Sequence, residues 1–158
     1  MIQQNYECYD AFIVLHGTDT LAYTASSLSF MLENLNKSVI LTGSQIPILE
    51  LKNDAVDNFL GALLIAGQYR VPEVCIYFGN KLMRGNRTSK VSTSRIVAFE
   101  AANMQALGEV GVSFNIRWSL INRYNFEGKL QVFTEMSDEV SMINITPCIN
   151  LRVVENIL

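Results

Sequence analysis

Three short apolar runs constrain this chain more than any other feature: Ala11–Leu15, Ser38–Thr42 and Val74–Phe78, each rich in β-branched residues and free of polar alternation. A strand that is apolar on both sides is buried on both sides, which is how a parallel sheet covered by helices reads in sequence. The first run ends in the polar turn His16-Gly17-Thr18-Asp19-Thr20 and the second at Thr42-Gly43. Helical spacing follows each. Leu21, Ala25, Leu28, Leu32 and Leu35 share one face, which predicts a helix over residues 21–35. From Asp54, with Asp57 in a capping-box-like arrangement, Val56, Phe59, Leu60, Leu63 and Leu64 predict the apolar face of a second helix ending near Gly67. Two strand-helix units feeding a third strand imply right-handed crossovers and a mainly parallel sheet. Ligands of such sheets bind at the carboxyl ends of the strands, so Thr18 and Asp19 stand where a hydroxyl and a carboxylate can face one.

Composition narrows the functional classes. The 158 residues suit one domain, and 49% apolar with 17% charged residues is a globular balance. A net charge of -3 argues against a general polyanion binder, and no nucleic-acid partner is expected. No apolar run approaches the roughly 20 residues of a membrane helix, and the first ten residues are too polar for a secretory signal. Cys8, Cys75 and Cys148 are odd in number and lie in or beside apolar runs, which predicts buried, reduced thiols and a reducing compartment. With a single His they make no familiar zinc site, and neither a Gly-x-Gly-x-x-Gly nor a phosphate-loop pattern occurs. Ser44 follows a strand as a hydrolase nucleophile would, but Ile46 stands where the elbow's second glycine belongs. His16, the sole imidazole, reads as a packing or hydrogen-bonding residue.

The remaining chain is less regular. Residues 1–10 read as the tail of a helix, and residues 80–95 as a polar, basic loop. Its cluster of Lys81, Arg84, Arg87, Lys90 and Arg95 suits phosphate binding or a loop at a subunit boundary, without the interleaved aromatics of a nucleic-acid platform. Residues 112–116 alternate like a strand. Residues 130–133 are expected to pair through the Glu127-Gly128-Lys129 turn, and residues 141–146 to form one more strand before Pro147.

His16-Gly17-Thr18-Asp19-Thr20 with Ala22-Tyr23-Thr24-Ala25 resembles the second active-site motif of the bacterial-type L-asparaginases. Leu41-Thr42-Gly43-Ser44-Gln45-Ile46-Pro47, Asp54-Ala55-Val56-Asp57-Asn58 and Arg84-Gly85-Asn86-Arg87-Thr88-Ser89-Lys90 match the same family in the same order. The pattern is most similar to the cytosolic, type I branch, which includes animal proteins also described as lysophospholipases. The resemblance implies a three-layer α/β/α, flavodoxin-like fold lacking the family's first strand region. Residues 1–146 would form this N-terminal-type domain, incomplete at its start, and residues 147–158 the beginning of a linker to a C-terminal domain.

The same resemblance implies hydrolysis of L-asparagine to L-aspartate and ammonia in the cytoplasm by a homo-oligomer, with no metal or organic cofactor and no membrane partner. Thr18, Asp19 and Lys90 would form the catalytic set. Asp19 would also hold the substrate's α-ammonium, and the turn of Ser44 and Gln45 would contact its amide. Taken alone, Thr18-Asp19-Thr20 reads as an ordinary helix N-cap cluster, and Lys90 as a solvated loop lysine. The family's Thr-Gly-Gly-Thr motif does not occur in these residues, so the chain is expected to begin inside a domain and to be inactive by itself. Asn53 stands where Ser is usual, Ser113 where an acidic residue is common, and Cys148 replaces the glycine of a Pro-Gly-Ile turn. Three alternatives stay open: a truncated, non-catalytic homologue that binds an amino acid or a partner chain, a lysophospholipase-like hydrolase, and an amidase subunit acting on transfer-RNA-bound substrate.

Overall fold

A computed structural model describes residues 1–122 and 128–155. A single helical turn, α1 (Ile2–Asn5), leads to β1 (Ala11–Leu15), α2 (Leu21–Met31), β2 (Leu32–Glu33), β3 (Ser38–Thr42), α3 (Ala55–Gln68) and β4 (Val74–Phe78). Shorter elements follow: β5 (Lys81–Arg84), a 3-10 turn (Gly85–Arg87), β6 (Ser89–Lys90), β7 (Phe99–Glu100), β8 (Gly108–Val110), β9 (Phe114–Ile116), β10 (Gln131–Val132) and α4 (Leu151–Glu155). The main sheet runs in the order β1-β3-β4-β5-β8-β9. Its core is parallel, with Ile13 opposite Ile40 and Ile40 opposite Cys75, as the unbroken apolar runs imply.

Alternating side chains feed two cores. Val39, Leu41, Val74, Ile76 and Phe78 pack toward α2 through Leu21 and Ala25. Ile40, Cys75 and Tyr77 pack toward α3 through Ala62 and Ile65. The result is an α/β fold with a helix on each face of its parallel strands, as the sequence pattern predicts. All five residues of β3 and of β4 are buried, which explains why neither shows a polar side.

Beyond β4 the sheet continues antiparallel. Gly79 (φ 56°) and Asn80 (φ 66°) form a two-residue turn with both residues left-handed, and Phe78 pairs with Lys81 across it. That is the geometry of a type I′ hairpin, whose twist matches that of its strands. It makes a strand of Lys81–Arg84, inside the stretch expected to be a loop.

Other expectations are corrected. The first helix stops at Met31, and Leu32 and Leu35 are buried from backbone that is no longer helical. The second helix has the expected extent but the opposite face. Its buried residues are Asn58, Ala62 and Ile65, whereas Val56, Phe59, Leu60, Leu63 and Leu64 are each 40–54% exposed. The reason is close approach: a Cβ on Gly61 would lie 2.2 Å from the Tyr77 ring, so small residues must face the sheet. Asp54 stands at the N-cap of α3, but its side chain makes no cap hydrogen bond; the Ala55 amide donates instead to Asn53 Oδ1 at 3.1 Å. β10 pairs antiparallel with β2, almost a hundred residues earlier, rather than through the adjacent turn, of which Glu127 lies outside the described residues. Residues 141–146 form no ladder, and Met142 and Ile145 are exposed. Of the cysteines only Cys75 is buried, its thiol pushed well up by desolvation; Cys8 and Cys148 are exposed, and all three are free.

The tight contact at Gly61 gives a stability test. Gly61→Ala should cost about 1–3 kcal/mol through overpacking against Tyr77, and Ile65→Ala about 2–5 kcal/mol through the cavity it leaves. Denaturant unfolding measures both, and a neutral Gly61→Ala would contradict the helix placement.

Candidate active site

The parallel strands bring their carboxyl ends to one rim, and the two turns there are in direct contact. The His16 amide continues the ladder to Thr42 O at 2.8 Å. A Cβ on Gly43 would meet His16 O at 2.2 Å, so only glycine lets the turn after β3 lie against the turn after β1. His16 Nδ1 lies 2.7 Å from Gly17 O and Nε2 lies 3.0 Å from Thr24 Oγ1. A carbonyl only accepts, so Nδ1 carries the proton and Nε2 accepts from the threonine. The imidazole thus ties the turn to α2, the bonding role expected of it.

Lys90 reaches this rim from far along the chain. β6 pairs Lys90 with Phe99 of β7, and the buried Phe99 ring packs on Phe78 at 4.8 Å. Upstream, Arg84 is clamped to Glu73 at 2.5 and 2.9 Å and donates to Leu120 O at 2.7 Å. A Cβ on Gly85 would lie 2.9 Å from Val74 O and 3.1 Å from Ala25 O, so the 3-10 turn nests between β4 and α2. The lysine is therefore carried on a segment held at both ends.

The outcome is a three-group cluster. Lys90 Nζ donates to Thr18 Oγ1 at 2.9 Å and to Asp19 Oδ1 at 2.7 Å. The lysine side chain is only 15% exposed, whereas that of Asp19 is 91% exposed. The hydrogen bond from Lys90, and then its charge, hold the Asp19 carboxyl below its ordinary value. Thr20, at the N-cap of α2, makes no side-chain cap hydrogen bond. An open cavity of roughly 620 Å³ adjoins the cluster, its walls including Asp19, Tyr23, Asn86, Arg87, Lys90 and Asn103.

Ser44 and Gln45 stand on the neighbouring turn, outside the hydrogen-bonded cluster. The Gln45 side-chain amide donates to Arg95 O at 3.1 Å, while its backbone N–H is held by Asp54. The basic cluster is dispersed by pairing, because Arg84 is bound to Glu73 and Lys90 to Asp19. The Glu73–Arg84 clamp and the Asp54–Asn58 pair were not legible as a site. The spacing of Asp54 and Asn58, four apart on a helix, was the one available signal.

Fold and cluster together define an α/β domain with a Thr-Lys-Asp arrangement at the carboxyl rim of its parallel strands. The family model described as the asparaginase N-terminal domain matches residues 1–122. The chain belongs to the asparaginase family. It is 46% identical over 157 residues to the human 60 kDa lysophospholipase, covering 99% of this chain and 27% of that protein. It is 45% identical over 157 residues to L-asparaginase 1 of Escherichia coli K12, covering 99% of this chain and 46% of that protein. The crystal structure of L-asparaginase I from Vibrio cholerae superposes with a TM-score of 0.92 at 42% identity, covering 99% of this chain and 48% of that one. The chain thus spans less than half the length of these relatives. Among the described residues no helix is long and apolar enough to cross a membrane.

The depressed Asp19 carboxyl makes a pH prediction. A lowered folded value means the Lys90–Asp19 contact is present above the ordinary carboxylate range and is lost only as pH falls through the lowered value. In Lys90→Met, the Asp19 carboxyl should titrate higher, toward its ordinary value, when followed by carbon NMR. An unchanged titration would mean that the contact is not formed in solution.

Proposed function

We propose that this chain is part of an asparaginase-type amidohydrolase that converts L-asparagine and water to L-aspartate and ammonia. The observation that carries this reading is the meeting of Lys90 Nζ with Thr18 Oγ1 and Asp19 Oδ1 across some seventy residues of sequence. A solvated loop lysine has no reason to be largely buried against a hydroxyl and a carboxylate.

The chemistry follows from which atoms donate. As an ammonium, Lys90 gives one N–H to Thr18 Oγ, which leaves the threonine's own O–H free to donate elsewhere. Once Nζ has passed one proton to solvent water, its lone pair accepts the Thr18 hydroxyl proton, while Thr18 Oγ takes a proton from an attacking water or hydroxyl. The O–H bond of the attacker breaks, an O–C bond to the acyl carbon forms, and the proton returns to the leaving amine as ammonia departs. Asp19 balances the ammonium and, largely exposed, offers its remaining oxygen to the substrate's α-ammonium. Ser44 and Gln45 take the amide end. Through a threonine acyl-enzyme, as the family resemblance implies, the same relay serves acylation and hydrolysis.

The polar cavity supports a small polar amide over a lysophospholipid. Asn86, Arg87, Thr88, Ser89 and Asn103 offer hydrogen bonds where a fatty acyl chain needs apolar surface. The test is ammonia release from L-asparagine by the full-length protein and by Lys90→Met. The substitution should lower kcat by about 10²–10⁴-fold, the usual range for losing a proton-transfer group. Equal rates would remove Lys90 from the mechanism, and faster hydrolysis of lysophosphatidylcholine than of asparagine would overturn the substrate class.

A further inference from the structure

We propose that Asp54 and Asn58 are positioning residues that hold the Ser44-Gln45 turn in place for the substrate's amide. The inference rests on the amidohydrolase reading above and assigns to it two residues that touch no reacting atom.

The observation is a buried polar strut serving a turn instead of its own helix. Asp54 is 6% exposed and Asn58 3%. The Asp54 carboxylate accepts the Gln45 N–H at 3.1 and 3.0 Å, the Ile46 N–H at 2.9 Å and the Asn58 carboxamide at 3.1 Å. It leaves the first amide of α3 to Asn53. Asn58 is used at both ends. Its Nδ2 also donates to Gly43 O at 2.9 Å, and its Oδ1 accepts the Gly79 N–H at 3.0 Å. One side chain therefore joins the turn after β3 to the turn after β4.

A buried carboxylate is costly unless matched, and apolar residues of similar size hold a fold together at least as well. What the strut achieves beyond packing is a fixed backbone for residues 43–46. That turn meets the candidate cluster from two sides: the Gly43 backbone abuts His16 O at the start of the Thr18 turn, and the Gln45 side-chain Nε2 donates to Arg95 O in the segment after Lys90. The turn is thus placed relative to both Thr18 and Lys90, and a shift of the order of 1 Å at such a turn is felt in the reaction.

The test is steady-state kinetics on the full-length protein, with melting temperature measured in parallel. Asn58→Leu keeps the shape and removes the hydrogen bonds. Its KM for L-asparagine should rise about tenfold with kcat changed by less than about threefold, and Asp54→Asn should raise KM by less, in the same direction. Where Asn58→Leu does not fold, Asn58→Ser, smaller and still polar, takes its place. Ser38→Ala is the control. Ser38 is buried at the opposite end of the same sheet, where its hydroxyl accepts the Val71 N–H at 2.9 Å, so this variant should melt lower with KM unchanged. An unchanged KM in the strut variants, or an equal rise in Ser38→Ala, overturns the inference. If the unsubstituted protein turns over asparagine and Lys90→Met does not, an unchanged KM sinks the strut alone. Absence of turnover in the unsubstituted protein sinks the amidohydrolase reading and the strut together.

Discussion

Burial of both faces of β3 and β4, with the half-buried edge strand β1 laid parallel beside them, is the constraint from which the rest follows. Parallel strands joined by crossovers must start at one edge and finish at the other, and helices α2 and α3 close the two faces. The polar residues of the connections are thereby confined to the rims. At the carboxyl rim, His16 to Asp19 and Gly43 to Ile46 are brought side by side without any attraction between them being required. The hydrophobic term assembles the frame, and the polar groups then find partners within it.

What the frame supplies is proximity, and the antiparallel extension completes it. The Gly79-Asn80 hairpin reverses the chain so that β5 runs back along β4 and delivers Arg84 to Glu73. The 3-10 turn and β6 then bring Lys90 to the rim, anchored by Phe99 beneath. An ammonium largely out of water needs compensation, and Thr18 and Asp19 provide it. The same contact holds the segment at the rim and draws the Asp19 carboxyl below its ordinary value. Structure and chemistry are not separable at this point.

The parts legible in the sequence are those whose signal is local. Unbroken apolar runs marked the three parallel strands, and helical spacing gave the extent of α3 to within a residue or two. The direction in which α3 faces was not legible, because the choice between Leu60 and Ala62 turns on how closely the helix approaches Tyr77. Gly61 was the clue, and it has meaning only once its neighbour is known. Lys81–Arg84 was missed although Gly79-Asn80 is a recognised hairpin signal. Asp54 reads in sequence as a helix cap, because a carboxylate before a helix looks the same whether it bonds its own helix or a distant turn. Thr18 and Asp19 stand out from their place at the carboxyl end of a strand, whereas Lys90 is picked out only by family resemblance, since nothing in the spacing of residues 18 and 90 says that they meet.

The contact between Gly43 and the His16 carbonyl carries a consequence for how such a rim can change over generations. Every other amino acid brings a carbon where an oxygen already sits, so the two loops cannot be redesigned one at a time. A side chain added at Gly43 has to be accommodated by the main chain at His16, so the pair behaves as a single mechanical unit. Novelty in the pocket is then free to arise from walls that carry no such lock, such as Tyr23 and Asn103.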